Sequence, residues 1–277
     1  MGYDKALKLV GQAKTFALYE GELESPVRKT SAHDLKLNIE LPCSNTEFKA
    51  GQFVMLRWGA HIVGRPYTII AHKKKSAQSS GLQLWARPTE GPTRELWSLS
   101  RGQRLWVTLP LGRGIEETLV ERHGAEVLNQ PMLFLSEGPL SAAVWAYFEL
   151  RRKSRLVLGS DQQDFWMHRE PSQDFVDAEL MSRSYARPDQ VVIGSDWAAT
   201  DLDLKKSRYA SAVCALSEAS FAQVVNRVPS AHLVRANPRM ACGLGLCYSC
   251  TVVCEGQARR ACLEGPWFSS FEVPSGR

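Results

Sequence analysis

The chain of 277 residues predicts an α+β multidomain protein in three parts: an antiparallel β-barrel over residues 10–125, a parallel α/β domain over 127–235, and a small cysteine-rich domain over 236–277. Three observations carry this. Short strand-like segments separated by Gly, Pro and Ser fill the first part, and apolar runs alternating with helical stretches fill the second. In the third, five of the seven cysteines stand between residues 241 and 265. The length exceeds the usual single-domain size and leaves ample apolar content for more than one core.

In the first part, Leu35, Leu37, Ile39 and Leu41 alternate with Lys36, Asn38 and Glu40, the period of a half-buried strand. Similar segments follow at "GQFVMLRW", "YTIIAH", "GLQLWARP" and "QRLWVTLP". Repeated short strands with such turns read as a barrel. In the second part, "PMLFLS" is a buried-strand pattern, and "EGPLSAAVWAYFELRRK" reads as a turn and an amphipathic helix. "SRLVLGS", "QVVIGS" and "ASAVCAL" are further strand patterns, which together predict a parallel sheet. The polar and aromatic stretch between "SRLVLGS" and "QVVIGS" shows no period.

The formal net charge of +5 is spread among nearly as many acids. The runs Lys73 to Lys75 and Arg151 to Lys153 read as solvated faces, so no nucleic-acid partner is expected. "MGYDKALKLVGQAKTF" carries Lys and Asp where a signal sequence needs an apolar core, and no long apolar run occurs, so a cytoplasmic protein without a membrane span is expected. A reducing compartment favours metal binding over disulfides for clustered cysteines. The histidines form no recognisable ligand set or triad.

Cys242, Cys247 and Cys250 have the spacing C-x4-C-x2-C, the plant-type ferredoxin loop for a 2Fe-2S cluster. Thiolates suit iron, and Gly243 and Gly245 permit the sharp turns that one short loop needs to wrap three ligands around a cluster. A zinc ribbon would use two short-spaced pairs, and a set of inert buried thiols needs no spacing. "TVVCEGQARRACL" reads as a hairpin turning at Gly256, which leaves Cys254 and Cys262 as alternatives for the fourth ligand. Trp267 is either a shield for the cluster and a contact for a partner, or ordinary core.

This tail, followed by "ACLEGPWF", resembles the cluster domain of the electron-transfer subunit of type B dihydroorotate dehydrogenase, in the ferredoxin reductase superfamily. In that family the fourth ligand precedes an acidic residue, Gly and Pro, which implies Cys262 and makes the set Cys242, Cys247, Cys250 and Cys262. "GRPYTII" resembles the family's flavin-binding strand. The resemblance implies that Arg65, Pro66, Tyr67 and Thr68 bind FAD, Arg65 at the pyrophosphate and Tyr67 and Thr68 at the isoalloxazine ring. "EGPTRELWSLSRGQRLWVTLPLGRGI" is similar to a further FAD segment, with Gly91 and Thr93 at a helix start that would face a phosphate.

The family's two nucleotide motifs are altered. The Gly-rich turn reads Ser136, Glu137, Gly138, Pro139, Leu140, Ser141, where Pro139 lacks a donor and Glu137 opposes an anion. Cys-Gly-Pro reads Cys214, Ala215, Leu216, with Cys214 as a buried strand residue. NAD use is therefore doubtful. The resemblance implies FAD and a 2Fe-2S cluster relaying electrons between another carrier and an FMN-containing dihydroorotate dehydrogenase catalytic subunit in a hetero-oligomer, with no catalytic residue of its own. A relay subunit of a transhydrogenase, sulfide dehydrogenase or hydrogenase complex, and a scaffold that has lost redox work, are the alternatives.

Overall fold

The computed structural model describes residues 18–25, 28–29, 35–43, 48–86, 91–108, 110–137, 141–158, 164–169, 191–194, 208–236 and 238–269. The first strands are β1 (Leu18–Leu23), β2 (Arg28–Lys29), β3 (Leu35–Leu41), β4 (Phe53–Arg57), β5 (Arg65–Lys74), β6 (Ser80–Ala86) and β7 (Arg104–Thr108). They run in the order β1-β7-β4-β5-β6-β3-β2, and an added β1–β3 pairing closes six of them into an antiparallel barrel. The alternation in β3 is obeyed: its four apolar side chains enter the barrel core and the polar ones face outward. In β4 the run "FVML" has no alternation because both faces are covered. Val54 and Leu56 fill the barrel, while Phe53 and Met55 lie under the C-terminal domain.

The second sheet is β10-β9-β8-β11-β12-β15, made of β8 (Met132–Glu137), β9 (Phe165–Arg169), β10 (Val191–Gly194), β11 (Ser211–Ala215), β12 (Ala231–Arg235) and the edge strand β15 (Trp267–Phe268). Its first five members are parallel, and β15 is antiparallel to β12. Helix α1 (Ile115–His123) and helix α2 (Ser141–Leu158) cover one face, where Ile115, Val144, Tyr147 and Phe148 meet Phe134 and Val213. On the other face Leu133, Leu135, Cys214 and Val234 pack with Val224 of helix α3 (Glu218–Val224). Burial on both faces explains why these strands read as continuous apolar runs.

One expectation is corrected. "SRLVLGS" is not a strand: Ser154 to Leu158 are the last residues of α2, and the next strand is β9, inside the stretch that showed no period. A short apolar run fits a buried helix end as well as a strand, so periodicity cannot separate the two. Arg151 also departs from the solvated face expected of its charge run. It is 8% exposed and forms a forked pair with Asp164 at 2.9 and 3.1 Å. Its other N–H groups donate to the Leu128 and Gln130 carbonyls, and Asp164 accepts from the Met132 amide, so this buried pair is fully hydrogen-bonded.

The three parts interlock. The Trp267 indole donates to the Gly51 carbonyl at 3.0 Å and its side chain is fully buried among α/β core residues, so it is a packing residue. Among the described residues no helix is long and apolar enough to cross a membrane.

Candidate functional site

The cysteine tail folds around a hairpin of β13 (Thr251–Cys254) and β14 (Gln257–Arg260). Glu255 and Gly256 both have positive φ, the conformation of a tight two-residue hairpin turn, as the sequence predicts at Gly256. The pairing returns the chain so that the Ala261 amide donates to the Cys250 carbonyl at 3.1 Å. Cys262 is thereby brought beside Cys250, close enough for the two thiols to influence each other's ionisation. Cys254 instead lies at the turn end of the hairpin, opposite Gln257.

Four thiols fall into two pairs, Cys242 with Cys247 and Cys250 with Cys262. Among the described residues no three of His, Cys, Asp and Glu converge to hold one metal ion. Two thiol pairs are the donor arrangement that suits two irons in one cluster. Hydrogen bonds from Ser249, whose hydroxyl is 3.0 Å from the Cys247 sulfur, hold that thiol down at about 6. Cys250 is held at about 6 by its bond with Cys262, and Cys262 is pushed up by the same bond and by burial. Burial raises Cys254 to about 11 and Cys262 is pushed up as well, so position separates the two: Cys254 sits at the turn end of the hairpin, opposite Gln257.

The loop carrying the first three cysteines turns through positive φ at Gly243 and Gly245. A Cβ on Gly243 would stand 2.5 Å from Met55 Cγ, and one on Gly245 would collide with Leu263, so glycine lets this backbone lie flat on its supports. The Leu244 amide donates to the Cys242 sulfur at 3.2 Å. Arg260 pins the loop from below: its guanidinium donates to the Gly245 carbonyl at 2.9 Å and lies 5.3 Å from the Tyr248 ring centre. The backbone shape, sulfur-directed amide and paired thiols fit an iron–sulfur cluster.

Met55 links this loop to the second group of expected site residues. In the β4–β5 register Met55 faces Pro66 and Phe53 faces Thr68, so the strand beneath the cysteine loop is hydrogen-bonded to the "GRPYTII" strand. Arg65 and Pro66 are exposed, and no carboxylate among the described residues pairs with Arg65. Tyr67 and Thr68 are buried on opposite sides of β5. Tyr67 packs with Trp58 and Leu96, its hydroxyl is enclosed without a partner, and burial raises it well above the usual phenol range. Thr68 is met from the α/β domain by Arg235, whose Nη2 lies 3.4 Å from its hydroxyl. Gly91 begins a 3-10 helix, Gly91–Ser98, with Thr93 in its first turn and Leu96 anchoring it beside Tyr67. An exposed guanidinium, a helix start and an orphaned buried hydroxyl suit a ligand with phosphate and flat aromatic parts.

"PLGRG" does something the sequence did not disclose. Leu111 packs against the cluster domain, and the Arg113 amide donates to the Gly265 carbonyl at 2.6 Å, so this segment docks the tail on the barrel.

The altered nucleotide motifs meet at the carboxyl ends of β8 and β11, where the strand order reverses and where such sheets bind ligands. Residues 138 to 140 lie outside the described residues. Glu137 Oε1 accepts the Ser217 amide at 2.5 Å and its Oε2 accepts the Ser220 hydroxyl at 2.6 Å. The protein's own carboxylate therefore engages the Ser217 amide and the Ser220 hydroxyl at this end of the sheet. Cys214 is fully buried, its thiol raised by burial, with no role in the crevice.

Residues 237–274 match the family model described as the iron-sulfur cluster binding domain of dihydroorotate dehydrogenase B. The chain is 25% identical over 236 residues to the dihydroorotate dehydrogenase B (NAD(+)) electron transfer subunit of Clostridium acetobutylicum, covering 82% of this chain and 87% of that one. Among solved structures, the NADH-dependent reduced ferredoxin-NADP oxidoreductase superimposes with a TM-score of 0.69 at 19% identity, over 94% of this chain and 89% of that one. Phthalate dioxygenase reductase gives 0.58 at 12% identity over 86% of each chain. The fold is that of the ferredoxin reductases, and the tail carries an iron–sulfur binding domain.

Proposed function

We propose that this chain is the electron-transfer subunit of an oxidoreductase complex, relaying electrons between FAD on the barrel and a 2Fe-2S cluster held by Cys242, Cys247, Cys250 and Cys262. Its partner is a separate FMN-containing subunit that oxidises dihydroorotate. The observation that carries the reading is the placement of the cysteine loop on Met55, one strand away from "GRPYTII", which supports two neighbouring cofactor sites.

A flavin takes two electrons and a cluster passes one at a time, so together they join a two-electron oxidation to one-electron carriers. The residues do the rest. Arg65 neutralises the FAD pyrophosphate with help from the Gly91–Ser98 helix start, and Thr68 faces the ring. Cys242, Cys247, Cys250 and Cys262 would hold the cluster, while Arg260 fixes the loop that presents the first three. Leu246 and Tyr248, 59% and 65% exposed, flank Cys247 and place that end of the cluster at the surface where a partner docks.

Glu137 argues that the external carrier is not NAD(H): a pyrophosphate entering the β8–β11 crevice meets a carboxylate where donors should be. A relay subunit of a complex like the ferredoxin-NADP oxidoreductase is the second reading, favoured by the near full-length superposition on it.

The test is anaerobic purification with the native partner, followed by flavin and iron quantitation and an NADH titration at the flavin absorption band. One FAD and about two irons per chain are expected, with the flavin left oxidised by NADH and reduced by the partner's substrate. Rapid bleaching by NADH would instead return the crevice to ordinary nucleotide use.

A further inference from the structure

Arg235 ends β12, fully apart in sequence from the barrel, yet reaches across to it. Along β12 it falls on the side of Leu233, which faces α1 and α2, opposite Val234. In the edge pairing it stands beside Trp267, itself anchored to Gly51 of the barrel, so its backbone is rigidly placed. The side chain is half-buried, and among the described residues its Nε is enclosed without an acceptor and its one hydrogen bond is the 3.4 Å contact to Thr68. No carboxylate among the described residues pairs with it. Burial lowers its pKa to about 10, which leaves it a cation at neutral pH.

A cation held this way costs several kcal/mol unless something supplies acceptors. Arg151, equally constrained, shows the alternative, since each of its donors has a partner. An acceptor arriving at Thr68 with a ligand would complete Arg235. Arg65 stands three residues back along β5, roughly 10 Å away, and with the Gly91–Ser98 helix start it already provides for a pyrophosphate. What remains for Arg235 is the other end of the same ligand, the flat ring.

We infer that Arg235 donates to the polar edge of the isoalloxazine ring beside Thr68 and sets its redox potential by stabilising the reduced form. This rests on the reading that FAD lies against β5. On taking two electrons and one proton the ring gains one net negative charge, and a fixed guanidinium at its carbonyl and nitrogen edge binds that state more tightly than the oxidised one. Arg235 is thus a cofactor-binding residue that the motif strand itself does not contain, supplied by the α/β domain. It raises the flavin potential and so favours electron flow from the cluster side toward the flavin.

The experiment is a dithionite titration of the full chain loaded with FAD and cluster, comparing wild type with Arg235→Met, Arg235→Gln and Arg235→Lys. FAD affinity is measured in both oxidation states, and iron content and melting temperature check folding. In Arg235→Met and Arg235→Gln the reduced state should lose at least tenfold more affinity than the oxidised state, which is a fall of about 30 mV for a two-electron couple. Arg235→Lys, which keeps the charge, should retain most of the wild-type potential. Folded, FAD-loaded variants with unchanged potentials would overturn the role of Arg235 while leaving FAD binding intact. Equal loss in both oxidation states would reassign it to plain FAD binding and also overturn the inference. A wild-type chain that takes up no FAD would overturn the underlying reading and the inference with it. Should Arg235→Met fail to fold, the Gln and Lys pair carries the same comparison of neutral with charged.

Discussion

The β8–β11 crevice and the β5 face of the barrel are both places where this fold binds ligands, and the protein treats them oppositely. In the crevice the donors of Ser217 and Ser220 are taken by Glu137, an anion built into the chain. On the barrel Arg65 is exposed, Arg235 Nε beside Thr68 lacks a partner among the described residues, and the nearby thiols stand in two pairs. A buried polar group without a partner costs free energy, so a protein retains such groups where something else completes them. The comparison sets a crevice whose Ser217 and Ser220 donors are engaged by the chain's own carboxylate against a barrel face that we propose for a cofactor.

The largest effect that could break this contrast is at the cysteines. Cys262→Ser should abolish cluster assembly, read as loss of nearly all bound iron. Cys254→Ser should keep wild-type iron content, because Cys254 lies at the far end of the hairpin, opposite Gln257. Iron lost in both variants would return the fourth ligand to an open choice.

Next is the self-satisfied Arg151–Asp164 pair. Arg151→Ala leaves a buried carboxylate without its guanidinium, and should cost about 3–5 kcal/mol in denaturant unfolding. The comparable change Arg235→Met removes a cation that has no counter-charge and should leave the cofactor-free protein no less stable. Equal losses at both positions would erase the distinction between filled and unfilled sites.

A smaller effect is expected at Arg65. Arg65→Ala removes a charge-assisted contact worth about 1.5–3 kcal/mol, so FAD affinity should fall about tenfold to a hundredfold with no change in melting temperature of the FAD-free chain. The smallest is at the crevice. Glu137→Gln removes the negative charge and keeps the shape, so NADH affinity, followed by fluorescence titration, should rise by no more than about tenfold. Tight NADH binding to the wild type would show that the crevice is open after all.

Much of this was legible in the residues. The alternation in β3, the apolar runs of β8 and β11, the turn at Gly256 and the C-x4-C-x2-C spacing are local patterns, and each meets its place in the structure. "SRLVLGS" was misread because a helix end and a buried strand share one local pattern. Arg151 was misread because a run of cations says nothing about a carboxylate 13 residues away that claims one of them. Met55 and Arg235 carried no signal at all. One is an ordinary apolar strand residue and the other an ordinary strand-end cation until the fold sets them against Gly243 and Thr68.

By itself, then, the sequence determined the order of barrel, parallel sheet and cysteine hairpin, together with the donor chemistry of the loop, because periodicity, turn residues and ligand spacing act over a few neighbouring positions. Tertiary structure alone decided that the Glu137 carboxylate bonds Ser217 and Ser220, and that a guanidinium from β12 meets the barrel 167 residues away in sequence. Those outcomes depend on strand register and domain docking, which are settled by burying whole faces against one another.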